Sequence, residues 1–183
     1  MTNFTPRAQN FIPNTAPNLM AISNQVINLG RQLSLTAVAN DADTPPQTLV
    51  FTLDLGAPSG ATINSFSGIL TWTPVQLPVP STNNIVVRVT DNGSPALSAT
   101  RSFTVTVIGD PKVTSFTISP GGTATLNWQS YPGRTYRLQF TDSLSSPEWT
   151  SLGPDIIANS PVTSVSFSID ATPQRFHRIL QVD

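Results

Sequence analysis

From Leu33 onward the apolar residues recur at every second position rather than every third or fourth. Leu33, Leu35, Ala37 and Ala39 form one series, and Leu49, Phe51, Leu53 and Leu55 form the next. Ile85, Val87 and Val89 follow, then Phe103, Val105 and Val107. Alternate side chains of an extended backbone share a face, so each series predicts a strand with one side on a core and the other on solvent. Between the series lie Asp41-Ala42-Asp43-Thr44-Pro45-Pro46, Gly56-Ala57-Pro58-Ser59-Gly60 and Asp91-Asn92-Gly93-Ser94-Pro95. These residues set turn dihedrals or cannot continue a ladder. Short strands at this spacing, with no helical period between them, predict an antiparallel sandwich.

Gly109-Asp110-Pro111-Lys112 is the natural seam, because it offers little to bury and Pro111 removes a backbone donor. A second set of alternating strands follows. Ala124, Leu126 and Trp128 share a face, as do Tyr136, Leu138 and Phe140, and then Val165, Phe167 and Ile169, with Arg175 to Val182 closing the chain. The expectation is an all-β chain of two consecutive antiparallel immunoglobulin-like sandwiches: a tail or linker over 1–16, one domain over 17–109 and a smaller one over 110–183. The smaller domain reads as six strands where an immunoglobulin sandwich normally has seven or more, which leaves one edge open. An open edge is a template for another strand, supplied by the first domain, by the tail with its Phe4, Phe11 and Ile12, or by a neighbour.

Composition narrows the function classes. The chain has 183 residues, of which 10% are charged, and its net charge is −1. Nucleic-acid binding needs several clustered cations to release counterions, and here Lys112 is the single lysine while the arginines are scattered. No apolar run approaches the roughly 20 residues of a membrane span, and the first residues lack the basic head and apolar core of a signal peptide. With no cysteine, disulfides, thiolate catalysis and cysteine-based zinc sites are excluded. Solubility rests on the hydroxyls of Ser and Thr, which make up roughly a quarter of the chain against the usual globular mix.

Four phrases agree in order with one family. They are Asn14-Thr15-Ala16-Pro17 at the entry, Asp41-Ala42-Asp43, Ser67-Gly68-Ile69-Leu70-Thr71-Trp72-Thr73-Pro74, and Asp91-Asn92-Gly93-Ser94-Pro95 before the last strand. The region from Pro17 to Gly109 therefore resembles cadherin-like repeats and the related immunoglobulin-like repeats of bacterial surface and secreted proteins. In the second half, Gly133-Arg134-Thr135-Tyr136-Arg137-Leu138-Gln139, Thr141-Asp142-Ser143-Leu144, Glu148-Trp149-Thr150-Ser151-Leu152-Gly153 and Gln174-Arg175-Phe176-His177-Arg178-Ile179 carry a second resemblance. They are similar to the small immunoglobulin- or fibronectin-like unit that ends many secreted proteins of Verrucomicrobia and related bacteria. Both resemblances imply an extracellular or cell-surface setting, with the export signal outside this chain.

Calcium is the one cofactor with a physical rationale. It takes six to eight oxygens, and two carboxylates one residue apart, such as Asp41 and Asp43, can turn toward one point. The cadherin-like resemblance implies that Asp91 and an oxygen of the entry linker, here Asn14, complete the set. The chain departs from that family at Thr71-Trp72-Thr73-Pro74, where a fuller acidic motif would stand. The competing reading makes Asp41, Asp43 and Asp91 solvated turn formers whose side chains cap local amides.

The aromatic residues are a second candidate. Trp128 and Trp72 fall in phase with core residues, whereas Trp149, with Tyr131 as companion, could offer rings to the apolar faces of a sugar. Catalysis has little support: His177 is the one histidine, Glu148 the one glutamate, and neither a nucleophile elbow nor a zinc-binding histidine pair is present. The expected role is a non-catalytic accessory module that spaces, presents or anchors neighbouring domains of a larger secreted or surface protein. Two alternatives stand beside it: a carbohydrate-binding module attached to a polysaccharide-degrading enzyme, and a self-associating structural protein.

Overall fold

The computed structural model describes residues 13–145, 148–169 and 174–183. The expected docking of the tail concerns residues 1–12, which lie outside them. Every regular element among the described residues is a strand, and the chain separates into two compact units, one up to Val107 and one from Ile108. No helix among the described residues is long and apolar enough to cross a membrane.

The first unit contains β1 (Asn18–Leu19), β2 (Gln25–Asn28), β3 (Leu33–Thr36), β4 (Ala39–Asn40), β5 (Val50–Leu53), β6 (Thr62–Ile63), β7 (Ile69–Trp72), β8 (Ser81–Thr90) and β9 (Ser98–Ile108), whose last residue begins the second unit. Strands β2, β9, β8 and β5 form one sheet in that order, β3, β7 and β6 a second, and β1 pairs with β4. The long β8–β9 hairpin sets Ile85 opposite Phe103 and Asn83 opposite Val105, so the predicted alternation faces one way on both strands. Ile85, Val87, Val89, Phe103, Val105 and Val107 are all buried, against Leu33, Leu70 and Trp72 of the facing sheet. The Trp72 indole donates to the Ser59 carbonyl at 3.1 Å, which satisfies its one polar atom.

Two expectations need correction here. Ala37 and Ala39 do not continue β3. Ala37 instead donates its N–H to Gly68 at 2.9 Å, and the chain switches to pair with β1. A Cβ on Gly68 would lie 2.4 Å from the Ala37 carbonyl oxygen, so this crossing of two backbones requires glycine. Leu55 leaves the face of Phe51 and Leu53 and is fully exposed, because the turn after Leu53 begins before it.

The second unit contains β10 (Lys112–Ser119), β11 (Thr123–Gln129), β12 (Thr135–Thr141), β13 (Thr150–Ser151), β14 (Ile156–Ile157), β15 (Val162–Ser168) and β16 (Phe176–Gln181). One sheet runs β10-β11-β15; in the other, β16 flanks β12 on one side and the two-residue β13 and β14 flank it on the other. Among the described residues, five full strands and two short ones thus stand where the alternation suggested six. Trp128 and Tyr136 meet edge to face at 5.9 Å in the core, with Leu126, Leu138, Ala158 and Ile179 around them. The Tyr136 hydroxyl accepts the Tyr131 backbone N–H at 2.8 Å, so its polar end is satisfied too.

Candidate functional site

The predicted calcium residues come from the entry segment and two loops of the first unit. Asn14 belongs to the entry, Asp41 and Asp43 follow β4, and Asp91 follows β8. The fold gathers all four into one hydrogen-bonded cluster. The Asn14 amide nitrogen, Nδ2, lies 3.2 Å from each oxygen of Asp91 and 2.8 Å from the Pro95 carbonyl. Its amide oxygen accepts from Gln47 Nε2 at 2.5 Å, and the same Gln47 nitrogen lies 3.1 Å from Asp43 Oδ2. Thr15 donates both its backbone N–H and its hydroxyl to Asp43, each at 2.8 Å.

The loops are also shaped by hydrogen bonds that do not involve the entry segment. Asp41 Oδ1 accepts the Asp43 N–H at 2.9 Å, a side-chain turn that fixes the Asp-Ala-Asp spacing. Asp91 Oδ1 accepts the N–H groups of Gly93 at 3.0 Å and Leu97 at 2.9 Å, closing the loop between β8 and β9 on itself. Asn92 Oδ1 takes the Thr48 N–H at 2.8 Å and ties that loop to the one before β5. The Asn14 side chain lies directly over Gly93, where a Cβ would sit 2.1 Å from its amide oxygen. Glycine is needed there for space.

Asp91 is buried, with 4% of its surface exposed. Burial pushes its carboxyl up, but the N–H groups of Leu97 and Gly93 and the Asn14 amide outweigh it and hold the group below the usual carboxylate value. The charge is therefore held by fixed dipoles: Asp91 caps local amides but is buried rather than solvated.

Two further observations bear on calcium. Asp41 Oδ2 and Gln47 Oε1 are buried and, among the described residues, accept no hydrogen bond. Both are hard oxygen donors beside Asp43, and so fit a hard cation. Against a multi-ion cage, Asp43 and Asp91 are engaged by N–H and O–H donors, and no three acidic or histidine side chains among the described residues converge as a metal-binding group. Gln47 was missed from sequence. A glutamine directly after a Pro-Pro pair carries no pattern that marks it as a bridge.

The aromatic pair lies in the second unit, its members next to opposite ends of β12. Trp149 precedes Thr150, which pairs with Phe140 near the end of β12, while Tyr131 precedes the start of that strand. At about 3.3 Å per residue, the strand ends they adjoin are roughly 17 Å apart. The Trp149 ring is covered by the Arg178 guanidinium 4.0 Å from its centroid, and Arg178 also donates to Gln139 Oε1 at 3.0 and 2.8 Å. This places Trp149 in a cation–π stack on the outer face of the sheet. His177 points inward, its ring 4.9 Å from Phe167 and 6.0 Å from Phe116. Trp72 and Trp128 are both buried.

No curated protein sequence matches the chain. Among solved structures it is similar to a nucleoside hydrolase-related hypothetical protein from Saccharophagus degradans associated with carbohydrate metabolism, at 25% identity and TM-score 0.43, over 51% of this chain and 26% of that one. It is also similar to the eight N-terminal immunoglobulin domains of Down Syndrome Cell Adhesion Molecule, at 15% identity and TM-score 0.48, covering 92% of this chain and 28% of that one. Extracellular cadherin domains 3–6 of Protocadherin Gamma B2 align at 17% identity and TM-score 0.42, over 91% and 52%. The chain thus spans between about a quarter and half of the length of these structures. Residues 13–108 match the family described as Putative Ig domain, which takes in the clamped entry segment, the loop cluster and the first sandwich; the chain belongs to that family.

Proposed function

We propose that this chain is a non-catalytic accessory module of a larger secreted or surface protein, whose task is to hold neighbouring domains at a set direction and spacing. The observation that carries this reading is the anchoring of Asn14 and Thr15. A flexible linker would enter the sandwich with its polar groups in water. Here the last residues before β1 are tied to Asp91, Pro95, Gln47 and Asp43. A domain joined directly at Pro13 would therefore inherit the orientation of the first unit instead of pivoting freely. The small immunoglobulin- or fibronectin-like second unit follows in the same chain as a further spacer. The reading is tested by fusing a compact fluorescent domain directly before Pro13 and following its anisotropy decay. It should tumble with the module, and gain fast independent motion when Asn14 and Asp43 are both changed to alanine. Independent motion already present in the unchanged fusion would reject the proposal.

A second reading adds calcium to the same cluster, and the unpartnered oxygens Asp41 Oδ2 and Gln47 Oε1 favour it. Calcium would be held by these two oxygens with Asp43, while Asp91 and Asn14 brace the site. With few charged ligands the affinity is weak, in the range of extracellular modules, on the order of 10⁻⁴–10⁻³ M. Calorimetric titration of metal-stripped protein should give heat and a raised melting temperature at millimolar calcium, both lost in Asp41→Asn. A flat titration would remove the ion and leave the hydrogen-bonded clamp standing.

A further inference from the structure

Asn92-Gly93 is the one Asn-Gly pair in the sequence, and it lies in the loop between β8 and β9 that also carries Asp91. Such a pair is open to a reaction of its own atoms. The glycine backbone nitrogen gives up its proton to solvent and bonds to the asparagine Cγ, the Cγ–Nδ2 bond breaks, and the nitrogen leaves as ammonia. Water then opens the five-membered imide to aspartate or to isoaspartate, in which the main chain runs through the side chain and is longer by one carbon. Glycine favours ring closure because it has no Cβ in the way and its backbone turns freely. Nothing is oxidised or reduced, and water is the one further reactant.

The leaving group is free to go. Asn92 is exposed, and its Nδ2 donates to no acceptor among the described residues. The two groups that must meet are each held. Gly93 N–H donates to Asp91 Oδ1 at 3.0 Å, and a carboxylate charge beside an amide keeps its proton on. Asn92 Oδ1 takes the Thr48 N–H at 2.8 Å, which fixes the rotation of the amide whose carbon must be attacked. Asn14 lies against Gly93, with its Nδ2 bonded to Asp91 and to the Pro95 carbonyl. Gly93 therefore has no room to turn while Asn14 is seated.

We infer that Asn92 is a modification site, converted to isoaspartate while the clamp is open, and that this conversion keeps the clamp from closing again. The inference rests on the clamp proposed above and gives it a chemical fate. Each opening frees Gly93 to turn, so the rate of conversion follows the fraction of time the clamp stands open. Isoaspartate then lengthens the loop between Asp91 and Gly93 by one carbon, and Gly93 can no longer serve Asp91 and lie beneath Asn14 together. The new carboxylate beside Asp91 adds a like charge that opposes reclosure. The result is a slow, one-way release of the entry segment.

The test uses the full chain, aged near neutral pH with a compact fluorescent domain fused before Pro13. Trypsin releases Val89–Arg101, in which Asn92 is the one asparagine, and mass spectrometry of that peptide follows the conversion. The folded chain should convert about tenfold or more slowly than the same chain unfolded in urea. Asn14→Ala should convert several-fold faster than the parent, as should Asp43→Ala, which loses the ties to Thr15 and Gln47. The isoaspartate fraction, separated by ion exchange, should show fast independent motion of the fluorescent domain. Equal rates in the folded and unfolded chain, or in both variants and the parent, overturn the inference. An isoaspartate fraction whose fluorescent domain stays rigid does so as well. Fast motion in the unaged fusion rejects the clamp itself, and is read before any conversion has taken place.

Discussion

At the scale of single residues, the clamp rests on a fit between a side chain and an absence of one. Gly93 lacks a Cβ where Asn14 lies, and Asn14 fills that space with an amide that serves Asp91, Pro95 and Gln47 together. Gly93→Ala should therefore expel Asn14 and cost about 1–3 kcal/mol in urea unfolding of the first unit. In an Asn14→Ala background the same change should cost little, and the double-mutant cycle reads the coupling directly. Asp91 gives a second test. Its folded carboxyl titrates below the ordinary 3.8, so its contribution is present above that value and is lost as pH falls through the folded one. Urea unfolding between pH 5 and about pH 2 should show that loss, and Asp91→Asn should flatten it.

At the scale of strands and loops, β16 shows how one element can carry two unlike faces. Inward, His177 joins Phe116 and Phe167; outward, Arg178 stacks on Trp149 and braces Gln139. Burial, followed by the nearby positive charge of Arg175, pushes the His177 imidazole below its ordinary 6.5, while Asp142 pulls weakly the other way. A lowered histidine favours the folded state fully above that ordinary value and progressively less as pH falls from it to the folded value. The second unit should accordingly melt lower at pH 5 than at pH 7.5, and His177→Leu should remove most of that difference; equal pH dependence in the variant would place the effect elsewhere. The strands themselves were readable from sequence because period-two burial is a local property. Ile85 to Val89 and Phe103 to Val107 face the core as their spacing predicted. Leu55 and Ala37 were misread because a turn and a strand switch, decided by Gly68 and by partners far along the chain, cut the alternation short. The cluster was half legible for the same reason. Asp41, Asp43, Asp91 and Asn14 sit in recognisable turn phrases, whereas Gln47 and Thr15 acquire their roles only when the loops meet.

At the scale of the whole molecule, the cores of the two units share no residue among those described. Leu70 and Trp72 belong to one, Trp128 and Tyr136 to the other. Leu70→Ala, at a fully buried site, should lower the unfolding transition of the first unit by about 2–5 kcal/mol and leave that of the second in place. Calorimetry of the variant would show the two transitions drawn apart; both moving together would mean a shared cooperative unit. The functional account depends on the first unit being rigid up to and including the residues by which the chain enters it. The most direct measurement is the backbone order parameter of Asn14 and Thr15, from nitrogen-15 relaxation of the full chain without added metal. The account predicts values near those of β8 and β9, about 0.85, and values below about 0.6 would contradict it.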